Sequence, residues 1–196
     1  MSAAEAFDHP AVGAVDRIGE AVAGIGRGNP RLDRIFYALS QAGNHSLLWH
    51  GINLIDATVG AALIGGRSAG ADHRRRARRR NAVRRSAVLV TEQVVVNGLV
   101  KSRFGRGRPS VVEAHPHDLR TPLTSSFPSG HASAGSCAAT MLSADVGGGP
   151  IWWALALGVA WSRVHVGAHH ASDVAGGLGV GTSAARIALA IWPPRR

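Results

Sequence analysis

Past residue 45 the chain runs as apolar stretches separated by polar or charged breaks, and the composition of each stretch predicts a helix. "SLLWHGINLIDATVGAALIGG" covers 46–66 and "SAVLVTEQVVVNGLVK" covers 86–101. "HASAGSCAATMLSA" (131–144) and "IWWALALGVAWSRV" (151–164) are split by the turn "DVGGGP", and "VAGGLGVGTSAARIALAIW" closes the series at 174–192. A helix needs about 20 apolar residues to cross a bilayer. Two of the five stretches reach that length; the others are shorter or diluted with Gly, Ala and Ser. Small residues favour close helix packing in membranes, and they suit a soluble bundle as well. The expected fold is all-α, a membrane helical bundle of about five transmembrane helices within 46–192. Ahead of it, Val12, Val15, Ile18, Val22 and Ile25 recur at spacings of three and four. That pattern predicts N-terminal amphipathic surface helices within residues 1–45.

Charge turns the series into a topology. The net charge is +10 and the pI about 11.6, values that suggest nucleic acid or an anionic membrane surface as partner. Nine of the arginines, however, fall in "RSAGADHRRRARRRNAVRR" (67–85), and the remainder is nearly balanced. Arginine blocks beside membrane spans stay cytoplasmic, so 67–85 reads as a cytoplasmic loop. Residues 86–103 then run outward, 104–130 form an external loop, 131–145 return, 151–165 go out and 174–192 come back, leaving the basic "PPRR" end inside. The chain is thus expected in the inner cell membrane, multi-pass, with the 104–130 loop facing outward. The arginine block lacks the aromatic interleaving of an RNA-binding segment, so no nucleic-acid partner is expected. The N-terminus has no basic region followed by an apolar run, and no cleavable signal peptide is expected. Cys137 is the sole cysteine and reads as a small buried hydrophobe. A homo-oligomer is compatible with such a chain, and nothing in the sequence fixes its state.

Candidate chemistry gathers around the predicted external loop. Gln93, Asn97 and Lys101 recur every fourth residue and share a helix face, where polar groups in an apolar helix normally line a bundle interior or a wet cavity. Lys101 is the sole lysine; every other basic side chain that carries a fixed charge is arginine. Seven residues on, Arg108 stands before a proline in "GRGRPS", and two cations so placed read as an anion clamp or, taken singly, as ordinary surface charges. In "SSFPSGHASAGS", Ser129 supplies a hydroxyl and Gly130 lets a backbone N–H approach an anion, while His131 opens a helix whose N-terminal N–H groups suit a phosphate. A capped helix start with an incidental histidine is the alternative. In "WSRVHVGAHHASDV", His169 and Asp173 are four apart, so the carboxylate can orient the ring and leave one nitrogen free to attack, with Arg163 six residues upstream. A rival reading makes His165, His169 and Asp173 metal ligands. It lacks the glutamate of HExxH, and the surrounding cations would repel a divalent ion.

In order, K-x6-RP, PSGH and SR-x5-H-x3-D form a three-part pattern over Lys101 to Asp173, and this pattern resembles the signature of the type 2 phosphatidic acid phosphatase family. The resemblance implies a helical bundle of the PAP2/acid phosphatase type. His169 would be the nucleophile, Asp173 its orienter and His131 the general acid and base. Lys101, Arg108, Ser129, Gly130 and Arg163 would bind phosphate, with no metal and no cofactor. It further implies a membrane lipid phosphate phosphatase whose substrate is a lipid phosphate or a polyprenyl (di)phosphate. Family substrates include phosphatidic acid, phosphatidylglycerol phosphate, polyprenyl diphosphates and decaprenylphosphoryl phosphoribose. A soluble-type acid phosphatase of the same superfamily is the nearest alternative; a basic RNA-binding or membrane-scaffold protein with an inert site is the alternative from another class. The family's membrane core usually has six spans, against five here, and His165 and His170 are unusual at their positions.

Overall fold

The computed structural model describes residues 5–109 and 124–195, so the expected 104–130 loop is described at its two ends, and its middle lies outside the described residues. All regular structure among these residues is helical. Helix α1 (Pro10–Gly24) and helix α2 (Pro30–Ala42) each start on a proline, and Asn29 caps α2 by accepting from the N–H groups of Arg31 and Leu32. Helix α3 (Leu47–Ile55) runs on into a π-turn at Asp56–Gly60, and α4 (Ala69–Val94) into a second at Val95–Val100, followed by one 3-10 turn at Lys101–Arg103. Helices α5 (Gly130–Val146), α6 (Gly149–His165) and α7 (Ala171–Ile191) complete the fold.

Helix α5 is the central element, packed most extensively on α7 and α6. Its composition explains why. Ala132, Ser133, Gly135, Ser136, Cys137, Ala138 and Ala139 are all buried, and small residues let backbones come close. Across the interface, a Cβ on Gly181 would collide with the Ser133 carbonyl, and one on Gly177 would lie 2.5 Å from that of Ser129. Below this seam the core is Trp49, Leu89, Cys137, Met141 and Leu142; a second cluster of Ala23, Ala132, Ala160, Val164 and Val174 lies beside the start of α7.

The five-span bundle is not what these residues build. Among the described residues only α7 is long and apolar enough to cross a membrane. Each other stretch falls short for a local reason. The 46–66 stretch becomes helical only after the left-handed His45 and Ser46 (φ 51° and 59°), continues through the π-turn, where Asp56 is buried against arginines, and gives way to a turn after Ala62. The 86–101 stretch is no separate helix: it continues the arginine run, which is helical from Ala69. Helices α5 and α6 have 17 residues each. The multi-pass inner-membrane placement with an outward-facing site rested on those five spans and is corrected with them.

The arginine run is also less exposed than its composition suggests. Arg84 and Arg85 are 2% and 1% exposed. Asp145 receives both at 2.6 and 2.9 Å, while Arg85 also reaches Asp56 at 2.5 Å and Asn53 at 2.7 Å, and Arg78 reaches Asp56 at 2.6 Å. Carboxylates from α5 and the π-turn thus satisfy the inner end of the run, as buried charges require.

Helix α1 reverses the usual sense of an amphipathic helix. Val15, Ile18, Val22 and Ile25 of the predicted stripe are between 48% and 76% exposed, whereas Asp16 and Ala23 are buried. The polar side of α1 packs on α6 and α7, and Gly19 permits the approach, since a Cβ there would strike that of Ala171.

Candidate functional site

The turn after α6 places His169. Arg163, in the last turn of that helix, accepts through its carbonyl from the N–H groups of Ala168 (3.0 Å) and His169 (3.1 Å), with Gly167 taking the positive φ of 66° that the reversal needs. Asp173 lies one turn into α7 and is fully buried. Its Oδ2 accepts the His170 N–H at 2.9 Å, capping the helix. The same oxygen lies 3.6 Å from His169 Nδ1, just beyond hydrogen-bond range. On the far side of the ring, Nε2 lies 3.4 Å from Arg108 Nη1, itself fixed by the Ala168 carbonyl at 2.7 Å. An arginine N–H can only donate, so Nε2 presents its lone pair and Nδ1 carries the proton toward Asp173. Burial, opposed by Asp173 and reinforced by Arg163 and Arg108, holds His169 down at about 4, so the ring is neutral over the physiological range.

The start of α5 lies against this turn, tied to it by a bond from the Ser129 N–H to the Asp173 carbonyl at 3.0 Å. Ser129 is fully buried, and its Oγ has no partner among the described residues, a costly state unless a ligand uses it. Gly130 faces the end of the α4 extension. A Cβ there would lie 3.3 Å from Asn97 Oδ1, 3.6 Å from Gln93 Oε1 and 3.8 Å from Lys101 Nζ. Lys101 is buried, and burial first, then Arg108 and Arg163, lowers its ammonium to about 8. Arg163 is 7% exposed, its Nη1 bonded to Ser40 Oγ. At this site Arg108 Nε and Arg163 Nε are buried with no partner among the described residues, as is Arg84 Nε in the arginine run. His131 completes the ring of groups, its Nε2 3.0 Å from Asn44 Oδ1 and 3.2 Å from the Ser40 carbonyl.

Lys101, Arg108, Ser129, Gly130, His131, Arg163, His169 and Asp173 therefore converge from four separate segments. The Gln93, Asn97 and Lys101 face holds across the π-turn: Asn97 donates to Gln93 Oε1 at 3.1 Å, and Gln93 donates to the Gly130 carbonyl at 3.2 Å. The rival metal trio does not converge. His165 turns away, with Nδ1 2.9 Å from the Ala23 carbonyl, Nε2 2.9 Å from Asp33 Oδ1 and its ring stacked on Phe36. No group of three metal-ligating side chains occurs among the described residues.

Several residues the sequence did not single out support the site. Arg106 bridges Asp173 and Asp16, at 2.5 Å each, and Asp16 also accepts the Ser172 N–H at 2.8 Å. Glu20 meets His170 Nδ1 at 2.6 Å. Arg106 had a usable signal, since it sits two residues before Arg108 in the same loop. Asp16, Glu20, Ser40 and Asn44 had none, because a helix pattern shows which residues share a face and not what that face meets.

A neutral histidine beside a carboxylate and faced by cations, on this helical frame, is consistent with a phosphoesterase of the PAP2 type. The family model of the PAP2 superfamily matches residues 83–196, more than half of the chain, and the chain belongs to that superfamily. In fold it is similar to the first transmembrane PAP2 type phosphatidylglycerolphosphate phosphatase from Bacillus subtilis, a crystal structure. The two align with a TM-score of 0.69 and 22% identity over 96% of this chain and 90% of that one. No curated protein matches.

Proposed function

We propose that this chain hydrolyses the phosphate ester of a lipid, or the diphosphate of a polyprenyl alcohol, through a phosphohistidine at His169. The observation that carries this is the neutral His169, whose Nε2 faces Arg108, with Lys101 and Arg163 close by and the unpartnered Ser129 hydroxyl at the adjoining start of α5. His169 Nε2 attacks phosphorus and its Nδ1–H closes on Asp173 as positive charge grows on the ring. The three cations, Ser129 and the Gly130 N–H meet the equatorial oxygens. His131 gives a proton to the leaving oxygen, then takes one from the water that cleaves the P–N bond and returns the electron pair to Nε2. Support for a lipid substrate comes from the exposed Val15, Ile18 and Val22 of α1 and Ile25 just after it, on a helix whose opposite face joins the site through Asp16, and from the Bacillus protein's phosphatidylglycerolphosphate.

The test is phosphate release by the purified full chain on phosphatidic acid, phosphatidylglycerol phosphate and a polyprenyl diphosphate, with para-nitrophenyl phosphate as soluble control. At least one lipid should be preferred; hydrolysis of the soluble ester alone would favour the soluble-type acid phosphatase reading. Activity should persist in EDTA and fall with vanadate, which takes up the five-coordinate transition-state shape. Loss in EDTA with recovery on adding zinc or magnesium would reject the mechanism.

The pH profile should carry the signature of Lys101. With its ammonium lowered to about 8, the cation is present below that pH and lost above it. The kcat/KM profile, which reports the free enzyme, should therefore fall on the alkaline side near pH 8. In Lys101→Arg that fall should move to higher pH, whatever the absolute rate, because guanidinium stays charged. An unchanged alkaline limb in this variant would assign the limb to another group.

A further inference from the structure

Chain segment 40–46 reaches the site from outside the residues matched by the family model, and its backbone is built for contact with His131. Gly43 is buried, and a Cβ there would lie 2.6 Å from His131 Cδ2 and 2.9 Å from Val159 Cγ1. Two successive non-glycine residues, His45 and Ser46, then adopt left-handed backbone. Such conformations are costly and persist where the surroundings over-determine them. Between these two features stands Asn44, whose Nδ2 donates to Gln41 Oε1 at 2.6 Å, turning Oδ1 toward the imidazole. The Ser40 carbonyl can only accept, so the His131 nitrogen it faces must carry a proton.

We infer that Asn44, with the Ser40 carbonyl, is a positioning element for the proton carrier: it locks the proton on His131 Nε2 and leaves Nδ1 as the nitrogen that exchanges protons with substrate and water. Burial and the neighbouring cations hold His131 well below the usual imidazole range, so its Nδ1 proton is taken up together with the substrate's negative charge; in the first half-reaction this imidazolium passes the Nδ1 proton to the leaving oxygen as the P–O bond breaks and the P–N bond forms. In the second, Nδ1 takes a proton from water as hydroxide attacks phosphorus and the P–N pair returns to His169. The Nε2 proton stays on the ring throughout, donated to Asn44 Oδ1 and the Ser40 carbonyl. Ser40 also links this element to phosphate binding, because its hydroxyl bonds Arg163. The charged and titratable groups facing His131 are Arg163 from α6, His169 from the turn after it and Lys101 from the α4 extension.

The inference rests on His131 being the proton carrier, so His131→Ala comes first, assayed on phosphatidic acid in detergent micelles. That variant should lose about 10²–10⁴-fold in kcat, the usual worth of general acid–base catalysis. Retained activity would reject the His131 role itself, and the inference with it. If His131→Ala is inactive, Asn44→Ala decides the inference alone. Its kcat should fall by about tenfold or more, a share of the acid–base factor, with KM little changed. Asn44→Asp, which places a carboxylate against Nε2–H, should move the His131 limb of the pH–rate profile to higher pH. Ser40→Ala keeps the carbonyl and removes the hydroxyl, so it should raise KM through Arg163 and leave that limb in place. Wild-type kcat in Asn44→Ala, or an unmoved limb in Asn44→Asp, would overturn the inference. Should Asn44→Ala fail to fold by circular dichroism, the Asn44→Asp limb carries the test.

Discussion

His169→Ala is expected to bring phosphate release down by at least about 10⁴-fold, as removal of a covalent nucleophile does in other enzymes. It should leave the fold intact. The side chain is 2% exposed, yet its Nδ1 has no hydrogen-bond partner among the described residues, and Asp173 keeps Arg106 and the His170 N–H when the ring is gone. A circular dichroism melt beside the kinetic assay separates loss of chemistry from loss of structure. Near wild-type turnover in a folded His169→Ala protein would remove the nucleophile from the mechanism.

The next largest effect is expected at the sole lysine. Lys101 sits where Gly130, Gln93 and Asn97 meet, and Arg108 and Arg163 are close enough to depress its ammonium. Arginine there keeps the charge and exchanges a compact, mobile ammonium for a wider planar fork that this space was not shaped to take. If the ammonium meets charge that grows in the transition state, Lys101→Arg should lose about 2 to 4 kcal/mol, roughly 30- to 900-fold, mainly in kcat. Lys101→Ala should lose at least as much. Arg79→Ala is the control: that side chain is exposed and, among the described residues, donates to the Ala57 carbonyl at 3.3 Å, so kinetics should not change. A fully active Lys101→Arg enzyme would make the lysine interchangeable with arginine.

Lys101 and Arg108, the Ser129–Gly130–His131 run, and the Arg163, His169 and Asp173 set were legible because each occupies a short segment whose residue types carry their chemistry with them. Helix-start amides suit phosphate wherever they occur, and a histidine four residues before an aspartate places one beside the other whenever the turn closes. Long-range pairing was not legible. The α1 stripe was read correctly as periodic, but periodicity cannot say that Asp16 and not Val15 would face the protein. Arg84 and Arg85 read as surface charge because Asp145 and Asp56, which bury them, are 60 and 29 residues away. The spans failed for a related reason. Hydropathy averages over a window, whereas a left-handed pair at His45 and Ser46 delays a helix start and one buried Asp56 sets ion pairs inside an apolar stretch.

The central claim is a phosphoryl group carried on His169, and trapping it is the most direct measurement. Full-length protein would be mixed with phosphatidic acid labelled in its phosphate, quenched in alkali within one turnover, digested and mapped. A phosphoramidate is stable in alkali and labile in acid. The account predicts acid-labile label on the peptide that holds His169, and none in His169→Ala. Label that survives acid, label on another residue, or none in an actively turning-over enzyme would contradict it.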